Sequence, residues 1–304
     1  MSAPMAPADR AAGDDAQTAD GDPPDRPVVV GVDGTEVGLG AVRWAAHEAA
    51  RRDAPLLILH AAPYLGRGEP SGAPSPELPH ARGITAVAYT VARRNQPGVH
   101  ASTEVVPDEP VDALLRAAED SQLLVLGSST TGAADEMVLA TVAVRVAARS
   151  RAPVVVVPRR RGPAQAGRPV VAILGVGDRA DDEAVARFAA TAAQRESAPL
   201  SLLRTRSPQQ DVAASWVDDD EAWAERFPDV EIRRSELSSA RAEEVLGAAT
   251  PSPLMVISVG HGTLLHRSMD SPHRWLLRHC TSPMALVPAV RASAGDAPET
   301  APPA

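Results

Sequence analysis

Three stretches of this 304-residue chain occur twice, in the same order. RDAPLLILHAAP at 52–63 returns as ESAPLSLLRTRSP at 196–208, QLLVLGS at 122–128 as PLMVISV at 253–259, and RAPVVVVP at 151–158 as TSPMALVP at 281–288. The offsets are 144 from Ala54 to Ala198, 131 from Leu123 to Leu254 and 130 from Pro158 to Pro288. One unit is therefore written twice, and the second copy is shorter mainly in its middle. The loss corresponds to the proline-rich PYLGRGEPSGAPSPELP of the first copy, which reads as a mobile surface loop.

Inside each copy, short β-branched runs alternate with longer helical patterns, which predicts βαβ units and a parallel sheet. In the first copy strands are expected near 27–33, 55–61, 98–106, 122–127 and 153–158, with helices at about 36–52, 78–95, 109–119 and 134–149. Leu39, Val42, Ala46 and Ala49 mark the apolar stripe of the first helix. The division that follows is a tail at 1–26, a first domain at 27–158, a linker at 159–167, a second domain at 168–290 and a tail at 291–304. Both tails are rich in Ala, Pro, Asp and Gly, a composition expected to stay disordered.

Composition removes several function classes. All 30 basic residues are arginine, so neither a Schiff-base lysine nor the lysine of a Walker A loop is available. A formal net charge of −9 without a basic stripe argues against nucleic acid as a partner. The single cysteine, Cys280, rules out an intramolecular disulfide and is expected to serve packing. No apolar run resembles a signal-peptide core or approaches the ~20 residues of a membrane span, so a cytoplasmic location without membrane contact is expected.

Ligands of open parallel sheets bind beyond the carboxyl ends of the strands, where strand order reverses. VVVGVDGT, LHAA and LGSSTT should meet there. Asp33 could accept hydrogen bonds from ribose hydroxyls or an adenine amine, and amides beyond Gly127 could receive phosphates. These residues carry a resemblance to the universal stress protein family: VVVGVDGT with AVRWAAHEAARRDAPLLILHA resembles the family's first strand, helix and second strand, and TEVVPDEPVDALLRAAEDSQLLVLGSS its third strand through fourth.

The resemblance spans both copies. It implies an α/β fold of two Rossmann-like (adenine nucleotide alpha hydrolase-like) domains, each a five-stranded parallel sheet flanked by helices. It also implies that VVVVP and MALVP pair antiparallel, giving an internal pseudo-dimer. ATP-binding members carry Gly, two residues, Gly, nine residues, Gly and then Ser or Thr. In this chain that run begins at Gly127 and ends at Thr141, with Thr130 and Ala140 replacing the second and third glycines. The implied nucleotide pocket comprises Asp33, Ala61, Leu126, Gly127, Ser129, Thr130, Ala140, Thr141 and Val142. ATP or another adenine nucleotide is the cofactor it would take, in the first domain only. Asp135 and Glu136 compete with the anion at the helix start. In the second copy Gly177 takes the acidic position, though a one-residue slip would restore Asp178, while Ser258 and Asp270 take the first and third glycines; that copy is expected not to bind ATP.

Other patterns have plainer readings. GSSTTG at 127–132 has Ala133 and Ala134 where a P-loop needs Lys and Ser or Thr. Asp33 also fits an ordinary helix cap or turn residue. His261, His266, His273 and His279 lack metal-ligand spacing, so no metal is expected. His60 reads as core or rim, and Trp216, Trp223 and Phe227 as the buried face of one helix beside a solvated DDDE turn. No catalytic constellation is visible, so no enzyme is expected, with slow ATP hydrolysis left open. The resemblance implies that the chain acts as a stress-response regulatory module with a degenerate nucleotide pocket; the alternative is a non-nucleotide-binding structural or interaction module working through dimer surfaces. Its expected partners are a small nucleotide, an unidentified protein, and a second copy or its own internal pair.

Overall fold

The run VVVG forms β1 (Val28–Gly31), which pairs in parallel with β2 (Leu56–Ala61) on one side and β4 (Leu123–Ser128) on the other. Its valines are buried on both faces, which is why the run is continuously apolar rather than alternating. The computed structural model describes residues 26–67, 77–128, 136–159, 167–205, 216–238, 241–259 and 272–290. β3 (Ala101–Val106) and β5 (Val154–Pro158) complete a five-stranded set in the order β3-β2-β1-β4-β5. A second set repeats that order with β6 (Val170–Leu174), β7 (Leu200–Thr205), β8 (Ile232–Leu237), β9 (Met255–Ser258) and β10 (Met284–Val287).

The two sets form one ten-stranded sheet, β3-β2-β1-β4-β5-β10-β9-β6-β7-β8. Every neighbouring pair is parallel except the central one, where Val154, Val155 and Val156 lie antiparallel to Leu286, Ala285 and Met284. The internal pairing implied by the family resemblance is thus present, as an edge-to-edge seam.

Helices cover both faces. On one side lie α1 (Glu36–Arg52), α2 (Leu78–Asn95), α5 (Arg179–Glu196) and α6 (Asp220–Arg226); on the other lie α3 (Pro110–Glu119), α4 (Glu136–Ala147), α7 (Ala242–Ala249) and α8 (Pro272–His279). Each face has its own apolar core, and each core runs unbroken across the seam, since Val155 and Ala285 face one layer while Val156 and Met284 face the other. At the seam α1 meets α5: Arg51 pairs with Glu196 at 2.7 Å, and the Arg52 guanidinium lies 5.7 Å from the Phe188 ring centre. Cys280 packs in the second core, where burial pushes its thiol up to about 11. Among the described residues no helix is long and apolar enough to cross a membrane.

The duplicated DAP and SAP stretches make the same local turn. Asp53 and Ser197 both adopt left-handed backbone, φ 51° and 49°, and end α1 and α5. Behind them Ala54 N donates to Ala49 O, as Ala198 N does to Ala193 O, and proline then launches the next strand.

Three expectations need adjustment. Trp216, Trp223 and Phe227 do not share one helix: Trp216 starts a 3₁₀ turn (Trp216–Asp218), because Asp219 accepts from Glu221 N and Ala222 N and opens α6 afresh. The aromatic cluster survives across the break, with ring centres 5.0 and 5.4 Å apart. β3 starts at Ala101 rather than near 98, since its ladder with β2 begins at the Leu56 register. Of the proline-rich connection, Pro63–Arg67 forms a 3₁₀ turn and 78 onward belongs to α2, while 68–76 lie outside the described residues. So do both tails apart from Arg26, and 160–166 of the linker.

The seam predicts a stability effect. Ala285 and its partner Val155 are fully buried, so Ala285→Asp should cost at least about 3 kcal/mol, because a carboxylate there has neither solvent nor cation. Equilibrium urea unfolding followed by tryptophan fluorescence reads the loss; a change below about 1 kcal/mol would contradict a buried seam.

Candidate functional site

β1 and β4 are neighbours whose following connections run to opposite faces of the sheet, which opens a crevice at their carboxyl ends. A cavity of about 420 Å³ occupies it. Strand ends contribute Gly31, His60, Ala61, Leu126 and Gly127; the loop after β1 contributes Val32, Asp33 and Thr35; helices contribute Val37, Gly38, Leu114 and Val142. Of the pocket residues inferred from sequence, Asp33, Ala61, Leu126, Gly127 and Val142 are brought together here. Ser129 and Thr130 lie outside the described residues; Ala140 and Thr141 belong to α4, two positions and one position before Val142.

Asp33 has a local duty. Its Oδ1 accepts from Thr35 N at 3.0 Å and from Thr35 Oγ1 at 2.7 Å, and Thr35 Oγ1 accepts from Gly38 N at 3.2 Å to cap α1. The turn-residue reading of Asp33 is therefore satisfied, while Oδ2 has no partner among the described residues and Asp33 is exposed at the mouth. Gly127 is likewise required locally: a Cβ there would lie 2.8 Å from Val37 O, so β4 can approach the first turn of α1 only with glycine at this place.

His60 was expected at core or rim, and it is both buried and in the cavity wall. Its Nδ1 lies 2.8 Å from Val32 O; a carbonyl only accepts, so Nδ1 carries the proton and Nε2 of the neutral ring is an acceptor, 3.5 Å from Tyr64 Oη. The wall residues Leu59, Leu114 and Val37 were not singled out from sequence; the signal available for them was only their placement at a strand end or on the first turns of α1 and α3.

At the corresponding strand ends of the second half, the described side chains are polar and bonded to their own neighbours. Asp178 caps α5, the place Thr35 holds on α1, so it does not stand in for Asp33. At the third and fourth helical positions α1 has Gly38 and Leu39, whereas α5 has Asp181 and Asp182. Asp181 accepts from Val290 N at 2.9 Å, and Asp182 accepts from Gly175 N at 2.9 and 3.1 Å. Arg204, which follows Leu200 by the same four residues that separate His60 from Leu56, lies 3.6 Å from Asp182 and 2.7 Å from Asp218. Thr205 donates to the Leu174 and Gly175 carbonyls. Resident carboxylates thus hold the Gly175 and Val290 amides. Ser258 is buried at the end of β9; Asp270 lies outside the described residues. His261 and His266 also lie outside them, His279 stacks on Trp275, and among the described residues no group of acidic, histidine or cysteine side chains is arranged to hold a metal.

Burial pushes Asp182 up to about 6, against the Gly175 amide and the Arg204 guanidinium, which pull the other way. The folded value lies above the ordinary 3.8, so the native state binds the extra proton between them. That contribution to stability is complete below about pH 3.8 and is lost as pH rises through 6, by up to about 3 kcal/mol. Asp182→Asn keeps an oxygen for Gly175 N and should remove this decline. Urea unfolding of both proteins across pH 4–7 measures the difference, and parallel profiles would refute it.

Comparison with known proteins bears on this frame. Residues 26–158 match the model of the Universal stress protein family. Universal stress protein Rv2028c of Mycobacterium tuberculosis is 25% identical over 270 residues, covering 86% of this chain and 95% of that one. Universal stress protein Rv2623 of the same species is 26% identical over 263 residues, covering 77% and 87%. A crystal structure of a universal stress protein from Archaeoglobus fulgidus aligns with 86% of this chain and 96% of its own at a TM-score of 0.63 and 12% identity, a likeness of fold. Over most of its length the chain is thus similar to universal stress proteins of mycobacteria, and its first half, residues 26–158, matches the model of that family.

Proposed function

We propose that the first half of this chain, residues 27–158, is an adenine-nucleotide-binding unit, and that the second, residues 168–290, is a copy whose mouth has closed, the two being joined by a linker at 159–167. The observation that carries this reading is the cavity at the β1/β4 crossover, walled by Asp33, Ala61, Leu126, Gly127 and Val142. Its volume of about 420 Å³ suits a nucleoside-sized ligand. Asp33 would hydrogen-bond ribose hydroxyls or the adenine amine, Ala61 and Leu126 would border the base, and the stretch Ser129, Thr130, Ala140 and Thr141 would lie along the sugar and phosphate side.

The cellular role that goes with the likeness to universal stress proteins is regulation in a stress response, exerted by a cytoplasmic protein through an unidentified protein partner. Bound nucleotide would act as a signal rather than a substrate, and no catalytic step is assigned. A second reading, an interaction module with no nucleotide, is favoured only for the second half, where Asp181, Asp182 and Arg204 already occupy the mouth. Association of two such chains into a homodimer belongs to the same proposal.

Calorimetric titration with ATP, with and without magnesium, tests the site. Heat from the native protein that falls at least about tenfold in affinity in Asp33→Ala is the expected result, since that carboxylate supplies one or two charge-assisted hydrogen bonds. No heat at millimolar nucleotide would leave the interaction module as the function of both halves.

A further inference from the structure

The outer side of α2 combines two features that a merely solvated helix face does not need. Val87 and Tyr89 are 54% and 39% exposed there, two of the three large apolar side chains that stand in solvent among the described residues. The same helix, LPHARGITAVAYTVARRN, carries Arg82, Arg93 and Arg94 and no carboxylate, in a chain of net charge −9. All three arginines are exposed, and among the described residues none pairs with an acid; Arg93 donates to the Val99 carbonyl. Helical spacing sets Arg82, Tyr89 and Arg93 along one ridge and Val87 with Arg94 along another. Arginine and tyrosine beside exposed apolar surface is the composition of a protein contact.

The chain itself supplies a complement. At the matching place in the second half, residues 216–231, WVDDDEAWAERFPDVE, hold seven carboxylates and a single arginine, Arg226. Asp218, Asp220 and Glu231 are matched by Arg204, Arg234 and Arg233. Glu221, Glu225 and Asp229 are exposed and have no ion-pair partner among the described residues. α2 packs on β2 and β3 at one end of the sheet, α6 belongs to the crossover from β7 to β8 at the other, and both helices lie on the same side. The sheet therefore holds them apart within one chain. A two-fold axis parallel to the strands, with one helical layer laid on the other, brings α2 of each copy against α6 of its partner. A two-fold axis across the strands would instead set α2 on α2 and α6 on α6, like charge on like.

We propose that a second copy of this chain docks on the exposed face of α2 by presenting its α6, so that two copies join face to face through two α2–α6 contacts. The proposal names the surface for the homodimer included in the proposed function, and it is independent of what the crevice holds. Arg82, Arg93 and Arg94 select the partner by charge, and Val87 and Tyr89 supply the apolar area.

Sedimentation velocity of the full chain tests this. The native protein should be dimeric at about 0.01 M salt, and its dissociation constant should rise at least about tenfold by about 1 M, as the screening length falls from about 30 Å to about 3 Å. Arg82→Glu with Arg94→Glu reverses the charge of α2; Glu221→Arg with Glu225→Arg reverses that of α6. Each double variant should dimerise at least about tenfold more weakly than the native chain. Its urea midpoint should not move, because all four side chains are exposed. Mixed in equal amounts, the two variants should associate again, since every α2–α6 contact then joins opposite charges. A native dimer indifferent to salt and to both reversals would overturn the α2–α6 face and leave homodimerisation standing. Variants that stay apart on mixing would overturn the pairing of α2 with α6, and a native monomer at low salt would overturn the face and the homodimer together.

Discussion

The antiparallel register of β5 on β10 is the constraint from which the rest of the molecule follows. A five-stranded parallel set ends in an edge of unpaired amides and carbonyls, and such an edge is a template for association unless it is covered. Here each half covers the other. Because strand side chains alternate, the pairing also fixes which residues meet above and below the sheet, and both apolar cores become continuous through the joint. The sheet then ends at β3 and β8, whose middle residues are exposed, with Glu104 on one and Arg233, Arg234 and Glu236 on the other. Charges at those positions disfavour further strand addition.

Around that joint one backbone frame carries two different chemistries. The helix start after β1 presents Gly38 and Leu39; the helix start after β6 presents Asp181 and Asp182. The strand that borders the first mouth ends in His60 and Ala61, and its counterpart ends in Arg204 and Thr205. Two small or neutral pairs leave an open, apolar crevice. Two polar pairs put hydrogen-bonded side chains at the matching positions, and Asp182 is held there by an amide and a guanidinium despite the desolvation that raises its proton affinity. Burying a carboxylate is tolerable only with such partners.

Most of this architecture was legible in the sequence because its signals are local and repeated. The valine runs of β1 and β5, the proline after Asp53 and Ser197, and the constant offset between LLILHA and LSLLRT each report a strand, a chain reversal or a register without help from the rest of the fold. The aromatic cluster was misjudged for a related reason: Trp216 and Trp223 have helical spacing, but Asp219 prefers capping to continuing, and a single hydrogen-bond choice divides one apparent helix into two. The site was only half legible. Asp33 and Gly127 stand out by position, yet each has a structural duty, capping for one and close approach to Val37 for the other, that the motif alone conceals. The closing of the second mouth depended on contacts 109 residues apart, from Val290 N to Asp181, which no spacing rule exposes.

Covalent linkage gives the second half a physical consequence for the first that needs no ligand. If the first half had to find a separate copy to cover β5, the covered state would depend on protein concentration, and anything that altered self-association would alter the crevice behind it. Joined in one chain, β10 is present at a high effective concentration set by the linker. Arg51 and Arg52 on α1 then meet Glu196 and Phe188 on α5 at any dilution. Since α1 also carries Thr35, Val37 and Gly38 into the cavity wall, the same helix that touches the partner half borders the open mouth. The second half thus touches the C-terminal end of the helix whose N-terminal end lines the crevice of the first.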